Sequence, residues 1–291
     1  MKTQPHKISL WRFVIDTHRL LWRDRVAVAR FAAPWFLLLI IADAVVSWTY
    51  FPHSQQQDTA STWPDILYIV TALAPTLVIG SIVAVLLHRH ILLPDDSIGR
   101  GRPSAPSNLV AAYMGRTFAM QFFFFGQISL AAFVIVVSAD FLGSAEQFVA
   151  ETSTTEFWTA SGLVFAGSMA LLIIPVASYI PVRISLALPA TAIGSATRTF
   201  RTSWLLTRGN FWRLFCGGIL SNWPFWLLMV YTFSSFTAET QSELQFIGDA
   251  TATTVAVCIS NLIWVAFFSL AYRHLSTEHE LASPLPSTQQ Q

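Results

Sequence analysis

The chain has 291 residues, of which 54% are hydrophobic and only 11% are charged, and its formal net charge is +1. Soluble domains carry about 25% charged residues, so a chain with a mean hydropathy of +0.53 has too little polar surface to face water on all sides. The composition excludes a soluble globular protein and indicates an integral membrane protein.

The first predicted element is an amphipathic helix over about residues 9–25. Its apolar face comprises Trp11, Val14, Ile15, His18, Leu21 and Trp22, and its charged face comprises Arg12, Asp16, Arg19 and Arg23. Asp16 has the i−4 and i+3 spacing that allows ion pairs with Arg12 and Arg19. This pattern is typical of a helix that lies in the membrane interface.

No cleavable signal peptide is predicted at the N-terminus. Residues 1–30 contain seven Lys or Arg, and the apolar run that follows is too long for the apolar core of a signal peptide. We therefore expect this run to be retained as a membrane span.

Six segments are long and apolar enough for a spanning helix, which needs about 20 residues. They are residues 31–51, 65–87, 117–138, 157–181, 213–236 and 251–272. With a cytoplasmic N-terminus, all 17 Lys and Arg fall in inside segments and none in outside loops. Because cationic residues favour the cytoplasmic side, we predict six spans with both termini in the cytoplasm.

A second amphipathic helix is predicted over about residues 189–208, on the cytoplasmic face. Pro189 suits its first turn, and Gly209 and Asn210 suit a helix end and the start of the next helix. Its apolar arc comprises Ile193, Ala196, Phe200 and Trp204, and Arg198, Arg201 and Arg208 lie beside that arc. The fold class is thus an all-α bundle of six spans and two interfacial helices, forming one domain over residues 1–273.

The basic residues of this second helix and of the following span form a candidate binding face. The candidate residues for a lipid headgroup or partner are Arg198, Arg201, Arg208, Arg213, Trp204 and Trp212. Each basic residue near an anionic leaflet contributes about 1 kcal/mol of attraction. We expect anionic lipids at this face, and docking of a membrane-protein partner is one alternative. A second alternative is that these charges only determine the topology.

The tail from His274 to the end is polar and rich in Pro, Ser and Gln, so we predict that residues 274–291 are disordered.

The segments RISLALPATAIG (183–194) and RTSWLLTRGNFWRLF (201–215) resemble a known membrane domain. It is the six-span domain of the bacterial YciC-like inner-membrane proteins, and a similar domain is fused to some glycerophosphodiester phosphodiesterases. The matching residues are Arg183, Leu186, Leu188, Pro189, Ser203, Trp204, Thr207, Arg208 and Gly209. The resemblance implies a bacterial inner-membrane protein and supplies no catalytic residue. The few residues after Arg273 are too short for the phosphodiesterase domain, so we expect none there.

Four polar side chains lie inside the predicted spans and form a possible intramembrane site. They are Asp43, Gln127, Asn222 and Asn261. Ionisable residues within a bilayer are functional candidates, so the alternative function is transport of a small solute or lipid around Asp43. Isolated hydrogen bonds between helices are the simpler interpretation.

Enzymatic chemistry is the least favoured function. The chain contains no H-E-x-x-H, G-x-S-x-G or P-loop motif. His88 and His90 are two residues apart, so they do not share a helix face, and the two cysteines lie at different depths. We predict no metal, cofactor, disulfide or nucleic-acid partner, and a non-enzymatic role in lipid or membrane-protein organisation.

Overall fold

The computed structural model describes residues 9–55, 63–93, 106–146, 173–195, 199–236 and 242–282, and these residues form helices and short turns without a strand. The helices are α1 (Leu10–Arg23), α2 (Arg25–Gln55), α3 (Trp63–Leu92), α4 (Ser107–Glu146), α5 (173–184), α6 (Ala187–Ala192), α7 (Phe200–Leu206), α8 (Phe211–Phe236) and α9 (Glu243–Ala282). The prediction of an all-helical protein is confirmed for the described residues.

Four segments of the described chain are long and apolar enough to cross a bilayer. They are Arg25–Thr49, Ala74–Leu92, Ile173–Ala192 and Leu244–Thr277. These segments fit the prediction of a membrane protein. Residues 157–172 of the predicted fourth span lie outside the described residues, and the count of six spans stays a prediction.

Helix α9 is the central element of the bundle and packs against α1, α2, α3 and α8. Its side chains Phe267 and Ala271 are fully buried. Two glycines of α8 permit the close packing: a Cβ on Gly217 would lie 3.0 Å from the Phe267 ring, and one on Gly218 would overlap the ring of Trp264. Small residues at helix contacts are typical of membrane proteins because they let backbones approach closely.

One end of the bundle, which we call the basic end, collects the described arginines. Contacts between distant segments define it: Phe13 of α1 packs edge-on against Phe267 of α9 at 5.2 Å, and Arg89 of α3 donates to the carbonyl of Ala192 in α6 at 3.3 Å. Helices α2, α4 and α8 begin at this end, whereas α3, α5 and α9 finish there. Its arginines are Arg12, Arg19, Arg23, Arg25, Arg30, Arg89, Arg116, Arg183, Arg201, Arg208, Arg213 and Arg273.

Helix α1 has three distinct faces. Thr17 and Leu20 are buried against the bundle, Trp11, Ile15 and Trp22 are exposed, and Arg12 pairs with Asp16 at 3.8 Å on the charged face. The predicted apolar face is therefore mostly the exposed one. The buried contact is made by the neighbouring face that contains Thr17, which the sequence did not single out. The exposed tryptophans suit contact with lipid.

The chain over residues 189–208 is not the single helix that the sequence predicted. Helix α6 ends before Gly194, which has a φ of +70°, and α7 begins after Thr199, whose hydroxyl accepts a hydrogen bond from the Thr202 amide at 3.1 Å. All six residues of α6 are buried, because its alanines present little volume to the surrounding helices. Arg198 lies outside the described residues.

The C-terminal segment also differs from its prediction, because α9 continues past His274 to Ala282. Tyr272 and Leu275 lie three residues apart on one face of α9 and are buried with Val182 and Leu186. This apolar contact holds the helix beyond the last span, so the predicted disorder from His274 is wrong up to Ala282. Residues 283–291 lie outside the described residues.

Candidate functional site

The predicted headgroup residues lie together at the basic end, in the α7–α8 corner, which we define as residues 199–213. Arg201 and Trp204 belong to α7, Arg208 to the turn, and Trp212 and Arg213 to the first turn of α8. Arg201 and Arg208 are exposed, and Trp204 and Trp212 retain 36% and 61% of their accessible surface. Of the predicted set, only Arg198 is not described.

Two buried hydroxyl groups fix the corner to the end of α5. Ser203 Oγ and Thr207 Oγ1 both donate to the backbone carbonyl of Arg183, at 2.9 and 3.1 Å. The single proton of Thr207 Oγ1 is shared with the carbonyls of Ser203 and Trp204 in its own helix turn, at 2.9 and 3.2 Å, so Ser203 makes the clearer hydrogen bond to α5. This arrangement places the ring of Trp204 over the side chain of Arg183.

Arg183 is a buried cation with no counter-charge among the residues that the structure describes. It keeps only 5% of its accessible surface, and its guanidinium carbon lies 4.5 Å from the Trp204 ring centroid and 5.9 Å from that of Tyr179. Its Nε is enclosed and has no hydrogen-bond partner. None of the ion pairs among the described residues involves Arg183. The aromatic rings stabilise the cation in part, but burial of an unpaired charge is costly.

Arg183 is the residue that sequence reasoning missed. The sequence singled it out only as one of the residues that carry the family resemblance, and its position at the inner side explained it as a topology signal. The available signal was the spacing of Tyr179 and Arg183, which at i and i+4 share a helix face. The contribution of Trp204 could not be read from the sequence, because it depends on the fold of the turn between α6 and α7.

The charged residues of the chain segment that forms the α7–α8 corner are all arginines. The sequence has no Asp or Glu between Glu156 and Glu239, and Arg208 lies close enough to Arg183 for their charges to repel. On the opposite side of the basic end, Arg23 donates to Asp24 at 2.8 Å. That hydrogen bond lowers the pKa of Asp24 below its ordinary value, partly offset by desolvation. The corner is therefore the less neutralised part of the basic end.

A groove of about 330 Å³ opens beside the corner, between α4, α5 and α8. Its lining is apolar and aromatic apart from one amide, and consists of Gln127, Pro175, Val176, Tyr179, Ile180, Phe211 and Trp212. Tyr179 contacts Phe211 in the groove at 4.9 Å between ring centroids and also faces Arg183. The groove thus ends next to the buried guanidinium.

The four residues of the predicted intramembrane site lie in separate helix contacts. Thr254 of α9 donates to Asp43 of α2 at 2.7 Å, whereas Ser260 donates to Asn222 of α8 at 2.8 Å. Asn261 faces Gly80 of α3, and Gln127 lines the groove. Among the described residues, these side chains do not line one shared cavity.

A further buried polar group links three helices at the basic end. Ser269 of α9 and Tyr113 of α4 contact the two ring nitrogens of His88 of α3, at 2.7 and 3.2 Å. His88 and Ser269 are fully buried, and Tyr113 nearly so, which makes this a structural connection without access for a substrate. Within the described ranges, no three His, Cys, Asp or Glu side chains are grouped as a metal site would require, and Cys216 and Cys258 are free thiols.

Comparison of the chain with protein-family models, with curated proteins and with solved structures gives no match. The likeness to the YciC-like family rests on the residues given above and stays a prediction.

Proposed function

We propose that this is a multi-pass protein of the bacterial inner membrane that binds anionic lipid headgroups at its basic end and has no enzymatic activity. In this proposal six helices span the bilayer, both termini lie in the cytoplasm, and the basic end faces the cytoplasmic leaflet. The protein acts by holding lipid next to the bundle, and it thereby organises lipid or neighbouring membrane proteins.

The observation that carries the proposal is the composition of the α7–α8 corner. Exposed Arg201 and Arg208 lie beside Trp204 and Trp212, and the sequence places no acidic residue near them along the chain. Indole rings favour the headgroup level of a bilayer, and each arginine there contributes about 1 kcal/mol of attraction to an anionic leaflet. This combination matches the headgroup level of an anionic leaflet, where both residue types are favoured.

Transport is less well supported. The alternative requires Asp43, Gln127, Asn222 and Asn261 to line a common path. Asp43 and Asn222 are each engaged by a different hydroxyl of α9, which matches the simpler interpretation of hydrogen bonds that hold helices together.

Native mass spectrometry of the protein extracted from its own membrane tests the proposal. Wild type is compared with Arg198→Gln/Arg201→Gln/Arg208→Gln, which removes two of the three charges of the corner and that of the adjacent Arg198. The matched control is Arg12→Gln/Arg19→Gln/Arg23→Gln, which removes the same charge from α1.

We expect wild type and the α1 control to retain anionic phospholipid adducts that the corner variant loses. Equal retention by all three proteins would contradict the proposal and leave the arginines a role in topology alone. Loss of a bound protein instead of a lipid would favour the partner alternative.

A further inference from the structure

We propose that the buried guanidinium of Arg183 and the adjoining groove form one phospholipid-binding site, in which the phosphate lies on Arg183 and an acyl chain lies in the groove. This inference rests on the proposed function, and it adds a specific site and ligand to a surface otherwise defined only by charge.

Arg183 has no anionic partner among the described residues. Its Nε is enclosed and unpartnered, no described acid pairs with it, and Arg208 adds a second positive charge nearby. A guanidinium binds phosphate through several N–H groups in a planar fork. Because the Nε is enclosed, a phosphate would approach through the two terminal nitrogens.

The guanidinium is held in a fixed position before any ligand binds. The rings of Trp204 and Tyr179 lie over the guanidinium, and Ser203 and Thr207 hold α7 to the backbone of the same residue. A preorganised charge loses little conformational freedom on binding. A side chain that served only to determine topology would not need this support.

The groove ends next to the guanidinium of Arg183. From Arg183, α5 runs into the apolar region, and Pro175 at the far end of the lining is eight residues away, about 12 Å along a helix. The lining between them is formed by Val176, Tyr179 and Ile180 of α5 with Phe211 and Trp212 of α8. A charged site at one end of an apolar groove matches a molecule with a phosphate at one end and a hydrocarbon chain at the other.

The experiment uses the full-length protein, stripped of lipid in mild detergent, with two readouts: the Tm and the mass of bound adducts. Three ligands separate the parts of the site. Phosphatidylglycerol carries phosphate and chains, diacylglycerol carries the same chains without phosphate, and glycerol phosphate carries the phosphate without chains.

Two variants test the two halves of the site. Arg183→Gln removes the charge, and Val176→Trp fills the groove, since Val176 is 72% exposed. Val45→Trp is the matched control for the groove, because Val45 is 58% exposed on α2, and Arg19→Gln is the control for charge.

We expect only phosphatidylglycerol to raise the Tm of wild type and of both controls. The bound-lipid fraction should fall at least tenfold in Arg183→Gln and in Val176→Trp. Without lipid, Arg183→Gln should have a Tm at or above that of wild type, because an uncompensated buried charge has been removed. A purely structural arginine would give a lower Tm.

Several results would overturn the inference. Retention of phosphatidylglycerol by Arg183→Gln would exclude the phosphate site, and an equal response to glycerol phosphate or to diacylglycerol would exclude the joint site. If Arg183→Gln does not fold, the result for Val176→Trp decides. Loss of phosphatidylglycerol binding by Val176→Trp would support the site, and unchanged binding would refute it. If the corner variant loses lipid while Arg183→Gln and Val176→Trp keep it, this inference fails and the proposed function stands. If all variants keep it, both fail.

Discussion

Gly218 of α8 is required to be glycine by its neighbour on α9. A Cβ at this position would overlap the ring of Trp264, and a Cβ on Gly217 would lie 3.0 Å from Phe267. Neither glycine has a positive φ, since Gly194 and Gly209 are the glycines of the described chain with that conformation. The requirement is therefore one of space between two helices.

We predict that Gly218→Ala lowers the stability of the bundle by about 1–3 kcal/mol, the usual cost of overpacking a close contact. The measurement is the midpoint of thermal unfolding in detergent. Gly248→Ala is the control, because no atom lies within 4 Å of a Cβ built there and alanine is the better helix former. Equal midpoints for the two variants would show that α8 and α9 are not packed through Gly218.

A second prediction at this scale concerns pH and Asp24, at the junction of α1 and α2. The hydrogen bond from Arg23 lowers the pKa of Asp24 below its ordinary 3.8. The folded state therefore binds this proton less readily than the unfolded state. The stabilisation is fully present above pH 3.8, where the unfolded carboxyl is also ionised, and is lost as pH falls through the lowered folded value.

Asp24→Asn tests this pH dependence by difference. We expect the variant to have a lower Tm than wild type at pH 7, and the difference to shrink towards pH 3. Because Arg23 is 73% exposed, solvent screens the pair and the difference at pH 7 should be small. Asp24 also lies 3.7 Å from His90, so the deciding point is pH 3: an undiminished difference there would mean that Asp24 stabilises the junction in its protonated form.

At the scale of elements, α7 depends on hydroxyl groups that bind outside its own helix. Ser203 donates to the carbonyl of Arg183, which belongs to α5, and Thr207 shares its one proton between that carbonyl and the carbonyls of Ser203 and Trp204. When both hydroxyls are removed, the buried carbonyl of Arg183 loses the hydrogen bonds that they donate. Each lost hydrogen bond costs about 1 kcal/mol.

We predict that Ser203→Ala/Thr207→Ala speeds amide hydrogen exchange of residues 199–210 without a general loss of protection. The exchange is measured by mass spectrometry of peptides, and exchange in α9 is the internal reference. Thr277→Ala is the control, because its hydroxyl donates to Arg273 within its own exposed helix turn, at 2.8 Å. Unchanged exchange at 199–210 would show that α7 is held by its apolar contacts.

The helices α6 and α7 also show where sequence reasoning stops. Long apolar helices such as α2 and α9 could be predicted, because hydropathy summed over about 20 residues does not depend on which neighbour each side chain meets. The division of residues 189–208 into two helices could not, because the burial of ALPATA depends on Arg89 and Arg116, which bind Ala192 and Thr191 from distant helices. Arg201, Arg208, Trp204 and Trp212 were predicted as a surface, whereas Arg183 required the fold.

At the scale of the whole molecule, the direction of the helices makes a prediction about the two sides of the membrane. Ser242 precedes α9, and Thr277 lies near its other end. In a background of Cys216→Ser/Cys258→Ser, we expect Ser242→Cys to react with a membrane-impermeant maleimide in intact spheroplasts. Thr277→Cys should react only after lysis. The reverse pattern would contradict the cytoplasmic location of the basic end, and labelling of both from one side would contradict the proposed spans.

The length of α9 has a practical consequence. Its 40 residues form one helix, about 60 Å long at 1.5 Å per residue, whereas the hydrocarbon layer is about 30 Å thick. A chain of 32.4 kDa offers little mass outside a detergent micelle to align particle images in electron microscopy. A helical protein fused after Ala282, so that its first helix continues α9, would add a rigid marker outside the micelle. Particle images could then be aligned on this marker, and a lipid beside Arg183 could be seen directly.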